Sequence, residues 1–379
     1  MVFMTVNSFL RSVVLIGIFM VPFIVFLVPG GWFFPFIAGK NVAFRVIVEI
    51  ITPLWVILAV RDARFRPKNS WLIWVILALV VSLFISNLLS PNVLKSFWSN
   101  YERMEGWVTI VHLFAYVLVL SSILTSETLW RRFWQTSIFA SVIMGFYGLF
   151  QLAGSVTINQ GGVRLDGTLG NATYLAVYML FHIFITSWLL LQATGKRWLQ
   201  VTYGLIILFQ TYILYHTATR GAVLGLLAGA LLTSVLIAIF EKQQQRLRKM
   251  ALGVVVLALI IVGGFLVVKN TDVVKESLVL SRFASISLTE RTVQSRFLVW
   301  NMAWQGFLEK PILGWGQESF NYVFNKYYDP KMYNQEQWFD RTHNVVLDWA
   351  IAGGLIGLVL YLGIFGFLIW YIWKAGNWS

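Results

Sequence analysis

Runs of about 20 apolar residues recur along this chain of 379 residues and constrain its fold more than any other feature. Such a run crosses the hydrocarbon core of a bilayer as an α-helix, because a helix satisfies its own backbone hydrogen bonds. Charged residues make up only 12% of the chain, about half of the share in soluble proteins. The sequence therefore predicts an all-α, polytopic membrane bundle with about ten spans, at 12–29, 41–60, 71–89, 107–125, 133–153, 172–193, 198–216, 221–240, 251–268 and 344–373.

Basic residues are concentrated in alternate connections between these spans. One set of connections carries 14 basic and three acidic residues, which gives it a charge of +11 out of the formal +13 of the whole chain. Short loops rich in Lys and Arg stay on the cytoplasmic side, so both termini are predicted to be cytoplasmic. The positive charge is thus an orientation signal, and it does not indicate binding to nucleic acid.

The predicted spans divide the chain into three parts. Residues 1–268 form a transmembrane bundle of about nine spans, and 344–379 form the last transmembrane helix and a short cytoplasmic tail. Between them, 269–343 contains no complete span, yet it is too rich in Trp, Tyr and Phe for a disordered linker. We expect this extracytoplasmic segment to form short amphipathic helices, partly resting on the membrane surface.

Arg220 lies between two apolar spans that leave almost no room for a loop. Gly221 supplies the turn that such a hairpin needs, but the turn does not need an arginine. A cation at membrane depth is costly and usually faces a partner or a cavity. Two interpretations stay open: Arg220 is an end residue that snorkels to water, or it clamps an anion, because a guanidinium suits phosphate oxygens.

His343 is the one histidine at a boundary between a polar loop and an apolar helix. A neutral imidazole near pH 7 is a suitable general base for a hydroxyl group. Asp340 and Asp348 are the candidates for orienting it. The alternative is that Thr342 or Asn344 caps the final helix and that His343 is an interfacial residue without a catalytic role.

Residues 295–308 have helical spacing, with Phe297, Trp300 and Trp304 on one face, and Pro311 follows the end of this helix. One interpretation is a surface helix with Arg296 at its polar start. The other places Arg296 at the mouth of a cavity, as a second cation beside the first.

Charged residues also occur near the ends of two other spans. Glu102, Arg103 and Glu105 precede the fourth span, where they form either a local ion network or a polar contact to a substrate. Arg45 and Glu49 are four residues apart on one face of the second span, a spacing that predicts an ion pair or a polar cavity.

Residues 166–174 open the sixth span. The glycines at 167 and 170 allow a tight turn, and Asn171 is a plausible helix cap. A helix N-terminus at this position is also able to present N–H groups to an anion, with Tyr174 in the first turn.

Several other classes of site have no motif in the sequence. We find no glycine-rich nucleotide loop and no Asp-x-Asp pair of the kind that binds a metal in sugar-nucleotide transferases. The chain has no cysteine, and its four histidines are scattered. An enzyme of this kind therefore needs a substrate that is already activated, and we expect neither a metal nor a cofactor.

Taken together, these segments resemble the O-antigen ligase family of bacterial membrane glycosyltransferases, which shares a superfamily with the O-antigen polymerases. The resemblance extends over most of the chain in the order of the family, and members commonly have about twelve spans, so this chain is expected to be a shortened or truncated member. The matching stretches are 101–106, 167–174, 219–222, 295–300, 311–316 and 341–344.

The resemblance implies a GT-C-like helical fold in the bacterial inner membrane. It implies transfer of a glycan from an undecaprenyl-pyrophosphate carrier to an acceptor hydroxyl, such as that of lipid A–core, at the outer leaflet. Two arginines and one histidine of the outer region carry this function in the family, and by motif they are Arg220, Arg296 and His343. The expected substrate contacts are Arg103, Glu105, Asn171, Tyr174, Arg341 and Asn344.

Three rival functions are carried forward. An O-antigen polymerase would use the same donor with a second lipid-linked glycan as acceptor, and a protein O-oligosaccharyltransferase would use a protein hydroxyl. A transporter of lipid-linked sugar would need polar residues through the bilayer and often shows inverted repeats. Here the ionisable residues lie on one side, and no such repeat is visible.

Overall fold

The computed structural model describes residues 6–160, 162–277, 279–285, 291–334 and 337–375, and the regular elements in these ranges are all helical. Short 3-10 turns supplement the α-helices, of which the first is continued by a 3-10 turn at Val21–Phe26. The α-helices are α1 Val6–Met20, α2 Ala38–Arg61, α3 Trp71–Leu88, α4 Val93–Trp98, α5 Trp107–Ile123, α6 Glu127–Leu152, α7 Ala172–Gln192, α8 Arg197–His216, α9 Arg220–Phe240, α10 Gln245–Val268, α11 Asp272–Glu276, α12 Leu280–Ala284, α13 Arg291–Glu309, α14 Phe320–Lys326 and α15 Val345–Ala375.

Within those described ranges, nine helices are long and apolar enough to cross a membrane. They coincide with nine of the ten predicted spans. The predicted fourth span is α5, whose 17 residues put it at the short end of the range that crosses a bilayer. The prediction of an all-α polytopic membrane bundle is confirmed. Between the last two spanning helices, the described part of 269–343 contains α11, α12, α13 and α14.

The helices form two compact units. The first unit contains the described residues of Met1–Ile24, Val28–Ser126 and Ser287–Asn377, which hold α1 to α5 and α13 to α15. The second contains Val25–Leu27 and the described residues of Glu127–Ile286, which hold α6 to α12.

In the first unit, α3 packs along α15, and α2 packs between α1 and α5. Gly17 of α1 lies so close to Ile51 of α2 that a Cβ atom would come within 2.3 Å of the isoleucine side chain. A separate apolar core joins α13, α14 and the first turns of α15, and its buried members include Val299, Phe324 and Ile351. The segment between α10 and α15 is therefore anchored by its own hydrophobic core.

The last spanning helix, α15, is broken near its first third. Gly354 has φ 61° and ψ −158°, a conformation that is open almost only to glycine. The segment 311–316 runs alongside this break and exchanges backbone hydrogen bonds with it. Trp315 and Gly316 donate to the carbonyls of Ile351 and Ala352 at 2.7 and 3.2 Å, and Leu355 donates to the carbonyl of Pro311 at 2.7 Å.

This exchange brings two backbones into direct contact. A Cβ on Gly314 would lie 2.4 Å from the carbonyl oxygen of Ile351, and one on Gly354 would lie 2.3 Å from that of Ile312. The Ser86 hydroxyl of α3 lies within hydrogen-bond distance of the carbonyls of Leu313 and Ala352. The carbonyl groups freed by the broken helix thus find partners inside the protein, as non-helical backbone at membrane depth requires.

In the second unit, α7 packs against α8 and α9 packs against α10 as two antiparallel hairpins. The loop before α7 is held by Asp166, which is fully buried and accepts from the Gln151 side chain and the Gln160 backbone, both at 2.7 Å. Gln151 in turn accepts from the Gly167 backbone at 2.9 Å. These bonds fix the loop to the end of α6.

We predict that Gly354→Ala destabilises the protein by at least about 2 kcal/mol, because alanine is strained at this φ and its Cβ would displace the 311–316 segment. The measurement is the thermal unfolding midpoint of the purified protein in detergent. Gly366→Ala, in the same helix with open space around its Cβ position, is the matched control and should leave the midpoint within a few degrees of wild type. Equal midpoints for the two variants would contradict the role of the exchange.

Candidate functional site

The first unit contains a cavity of about 560 Å³, which lies at the N-terminal ends of α2, α5 and α15. The cavity is lined there by Lys40, Thr109 and Asp348, and the segment before α14 completes its wall. Its volume falls within the range of small-molecule sites, about 300–1,000 Å³. The sequence predicted that α2, α5 and α15 all begin on the outer side, so the cavity is expected to open there.

Arg341 lies at the centre of an ion network in this cavity. Its guanidinium donates to Glu105 and, at 2.8 Å, to Glu318. A second pair joins Arg103 to Asp340 at 2.7 Å. Arg341, Glu105, Glu318 and Asp340 all line the cavity. The structure thus brings together the predicted contacts Arg103, Glu105 and Arg341.

Burial lowers the pKa of Arg341, but the carboxylates of Glu105, Glu318, Asp348 and Asp340 outweigh it and hold this pKa above its ordinary value. The guanidinium is therefore a permanent cation surrounded by anions. Since two carboxylates already engage it, Arg341 organises the cavity wall and is poorly suited to attract a further anion.

Two glutamates reach Arg341 from segments that are themselves tied together. Asn87 and Gln317 exchange hydrogen bonds in both directions, with the Gln317 backbone donating at 2.8 Å and the Asn87 amide donating at 3.1 Å. Gln317 also donates to the Glu105 carbonyl at 3.3 Å. These contacts set the positions of Glu318 and Glu105 relative to each other.

His343 stands on a short loop between this network and α15. The loop is fixed from two sides: Trp300 of α13 donates to the Thr342 carbonyl at 3.0 Å, and Asp348 accepts from the Thr342 backbone and hydroxyl at 2.9 and 2.8 Å. Asn344 caps α15 by accepting from the backbone N–H of Val346 at 3.0 Å. Asp348 therefore positions the backbone that carries His343, and does so without touching the imidazole.

The His343 side chain is exposed, and its ring meets Phe339 edge to face at 5.5 Å. It does not line the cavity, although its neighbours Arg341 and Val345 do. The backbone of His343 has φ 54°, in the left-handed region that costs a non-glycine residue about 1–2 kcal/mol. Such strain at an exposed imidazole is the pattern expected of a functional position.

Left-handed residues recur in the segments that meet at Arg341. Met104, beside Glu105, has φ 52°, and Glu318 itself has φ 57°. The Met104 carbonyl accepts from Arg45 of α2 at 3.0 Å. Of these three strained residues, Glu318 lines the cavity, while Met104 and His343 lie within two residues of the lining residues Glu105 and Arg341.

The hydrogen bond from Arg45 to the Met104 carbonyl replaces the ion pair expected within α2. Arg45 does not bond to Glu49, whose carboxylate instead contacts His112 of α5 at 3.0 Å. Of the two alternatives predicted for these residues, the direct ion pair is not formed, because Thr109 and His112 of α5 engage the two side chains instead. Sequence spacing reports neighbours on one helix and is blind to the helix opposite.

Arg296 lies on the exposed face of α13 in the first unit. The helix buries Val299 and Met302 in the core that joins α13, α14 and α15, and it leaves Phe297 and Trp304 about half exposed. Two residues of the predicted aromatic face are therefore turned outward, whereas Trp300 is half-buried against the Thr342 loop. Arg296 does not line the cavity at Arg341.

Arg220 belongs to the second unit, where it begins α9. Its guanidinium donates to the Ser285 hydroxyl at 2.8 Å. Arg164, from the loop before α7, donates to the Thr217 carbonyl at 3.0 Å and to Thr219 at 3.1 Å, in the turn just before Arg220. Burial, followed by the positive charge of Arg282, lowers the pKa of Arg164. Three arginines of this unit thus converge on one hairpin turn, and we call them the arginine cluster: Arg164, Arg220 and Arg282.

The other two predicted contacts also lie in the second unit. Asn171 caps α7, since its side-chain oxygen accepts from the Thr173 backbone at 2.8 Å. Tyr174 follows in the first turn and is 43% exposed. Asn171 thus has a structural role of its own, and Tyr174 is free to meet a ligand with its exposed ring.

Reasoning from the sequence missed Glu318 and Arg164 as functional candidates. Each is a single charged residue in a loop with no local pattern around it. A signal for Glu318 was nonetheless present, because it follows the glycine-rich stretch 311–316 that matched the family. Among the described residues, no group of three or more His, Asp or Glu side chains is arranged to hold a metal ion.

Fold and site define a polytopic helical membrane protein with a cationic cluster in one unit and a polar cavity in the other. Residues 203–362 match the family model described as O-antigen ligase, and this match includes Arg220, Arg296, Arg341 and His343. This part of the chain is therefore similar to an O-antigen ligase domain, which confirms the resemblance found in the sequence.

One curated relative is a protein of Rickettsia conorii, named provisionally as a polysaccharide ligase. It is 35% identical to this chain over 79 residues, which are 20% of this chain and 19% of that protein. The match thus spans about a fifth of the length of this relative.

We predict that glycine and alanine at position 343 differ in stability in favour of glycine by about 1 kcal/mol, because glycine adopts φ 54° without strain. The measurement compares the thermal midpoints of His343→Gly and His343→Ala in detergent. Position 112, inside helix α5, is the control, and there the order should reverse, since glycine weakens a helix interior. The same order at both positions would show that His343 carries no backbone strain.

Proposed function

We propose that this protein is a membrane glycosyltransferase of the O-antigen ligase type. It moves a glycan from an undecaprenyl-pyrophosphate carrier to an acceptor hydroxyl, such as that of lipid A–core, at the outer leaflet of a bacterial inner membrane. The observation that carries the proposal is the arginine cluster at the start of α9. Cations at membrane depth are costly and usually face a partner or a cavity, and guanidinium groups match the paired oxygens of a pyrophosphate.

The chemistry divides between two kinds of residue. The acceptor oxygen attacks the anomeric carbon of the glycan, and the bond from that carbon to the pyrophosphate oxygen breaks. The acceptor proton passes to His343 as general base, and the negative charge that develops on the departing pyrophosphate is stabilised by Arg220 and the other arginines of its cluster. Arg296 is a further candidate for the anion, supported by its family motif and its exposure on α13.

The leaving group itself supplies the activation that a nucleotide provides in other transferases. The expected absence of a cofactor therefore stays a prediction that follows from the donor. The acceptor separates this function from its rivals, because a polymerase and a protein O-oligosaccharyltransferase would use the same donor.

We predict that His343→Ala lowers the transfer rate by about 10²–10⁴-fold, the usual contribution of a general base. Arg220→Ala should lower it by about 10²–10³-fold, as expected for loss of one charge-stabilising donor. Arg220→Lys should retain part of the activity, because it keeps the charge without the forked donor geometry. The assay follows glycan leaving its lipid carrier in membranes with matched protein levels, and the labelled acceptor is then identified.

Arg248→Ala is the control, since this exposed arginine lies at the opposite end of the α9–α10 hairpin from Arg220. It should transfer at the wild-type rate. Wild-type transfer by His343→Ala or Arg220→Ala would refute the assignment of these roles. Glycan appearing on a second lipid-linked glycan or on a protein would replace the ligase with the corresponding rival.

We also predict the orientation of the chain, with both termini cytoplasmic and the arginine cluster outside. The natural chain has no cysteine, so single-cysteine variants are free of background labelling. In intact spheroplasts, an impermeant maleimide should label Val163→Cys in the loop before α7 and should label Lys68→Cys between α2 and α3 only after permeabilisation. The reverse pattern would invert the topology and with it the proposed side of the reaction.

A further inference from the structure

We propose that the cavity around Arg341 in the first unit is a binding site for a neutral saccharide, held through its hydroxyl groups. The inference deepens the proposed function, on which it rests for the identity of the saccharide as part of a transferred or accepting glycan. It assigns the sugar to residues that are distinct from the arginine cluster.

The cavity wall has hydrogen-bond acceptors that the protein does not use. Glu105, Glu318, Asp340 and Asp348 each use one carboxylate oxygen in the contacts described above. Among the described residues, the second oxygen of each has no hydrogen-bond donor. Four carboxylates thus offer acceptors toward one space, and a ligand with several hydroxyl donors satisfies them.

The cavity wall carries a net negative charge. The cavity is lined by those four carboxylates and by two cations, Lys40 and Arg341, so its formal charge is negative. Both cations also have partners in the protein, since Lys40 donates to the Phe36 carbonyl at 2.8 Å and Arg341 to two glutamates. A pyrophosphate would be repelled by this wall, whereas uncharged hydroxyl groups carry no such penalty.

A metal ion is the other ligand that carboxylates attract. However, the described acidic side chains do not converge as a ligand set of three or more. They are spread over the ends of α5 and α15 and the segment before α14. Acceptors distributed around a cavity fit the distributed donors of a sugar better than they fit a compact cation.

The cavity wall also has an apolar part. Phe44, Leu113 and Trp349 line the same cavity as the carboxylates. A sugar ring presents C–H groups on its faces and hydroxyl groups at its edge, so it suits a site that combines apolar side chains with a few placed polar groups. The mixed lining therefore matches a saccharide on both counts.

Backbone strain accompanies two of the glutamates of the cavity. Glu318 and the neighbour of Glu105, Met104, both adopt left-handed conformations that present these glutamates to Arg341. Strained residues persist where the surrounding structure holds them, and they cluster at ligand sites. A purely structural ion pair would not require strain in two of its three contributing segments.

The test uses the full-length protein in lipid nanodiscs and isothermal titration calorimetry. The probe is the saccharide released by mild acid from the lipid-linked glycan of the cells that make the protein. It carries the relevant sugars without pyrophosphate. We expect wild type to bind it, and an excess of inorganic pyrophosphate should not displace it.

Two variants address the site in different ways. Glu105→Gln removes one carboxylate, and it should weaken binding by about tenfold or more, the effect of one charge-assisted hydrogen bond. Asn41→Phe fills the cavity while leaving the ion network in place. It should also weaken binding by about tenfold or more, because the larger side chain takes up the space of the sugar. Glu309→Gln is the matched control. It makes the same substitution in the first unit, at a carboxylate that pairs with Lys326 at 2.6 Å outside the cavity, and it should bind as wild type does.

Three results would overturn the proposal: no binding by wild type, unchanged binding by both cavity variants, or displacement by pyrophosphate. The transfer assay on the same preparations tests the proposed function separately, through His343→Ala and Arg220→Ala. Saccharide binding without any transfer would refute the proposed function alone, and transfer without saccharide binding at the cavity would refute this inference alone.

Discussion

The first unit depends on the exchange of backbone hydrogen bonds between the segment 311–316 and the broken helix α15. In a bilayer, an unpaired backbone group costs several kcal/mol, so a helix breaks only where other groups take over its bonds. Here Trp315, Gly316 and Leu355 make the replacement bonds, and Gly314 and Gly354 allow the two backbones to approach. The glycines of this family motif thus have a structural purpose, which is separate from any contact to a substrate.

The position of the exchange determines what lies above it. Gly316 is followed directly by Gln317 and Glu318, so anchoring the segment to α15 also places Glu318 beside Arg341. The loop that carries His343 enters the same helix a few residues before the break, and Asp348 holds that loop by two hydrogen bonds to Thr342. One interaction between backbones therefore sets the geometry of the ion network and of the candidate base.

The spanning helices were predictable from the sequence because a run of apolar residues of sufficient length has one stable state in a membrane. Arg341 and Glu105 were also recognisable as charged residues near the ends of spans, since charged residues there are few. The break at Gly354 was not, because a glycine in an apolar helix is common and its partner segment lies some forty residues earlier. The Arg45–Glu49 pair failed for a related reason, since the Met104 carbonyl just before α5 and His112 within α5 engage the two side chains instead.

Under the proposed function, the charges of the two candidate regions follow from what each would bind. A polyprenyl-pyrophosphate-linked glycan has an anionic part and a hydroxyl-rich part, and a wall suited to one repels or ignores the other. Burial, followed by the positive charge of Arg282, lowers the pKa of Arg164, and an anion bound at the arginine cluster would offset the cost of these charges. The carboxylates around Arg341 favour an uncharged ligand instead, because they neutralise the cation and keep oxygens for hydroxyl donors. Under the proposed function, separate residues for the pyrophosphate and for the sugar therefore avoid placing unlike demands on the same side chains.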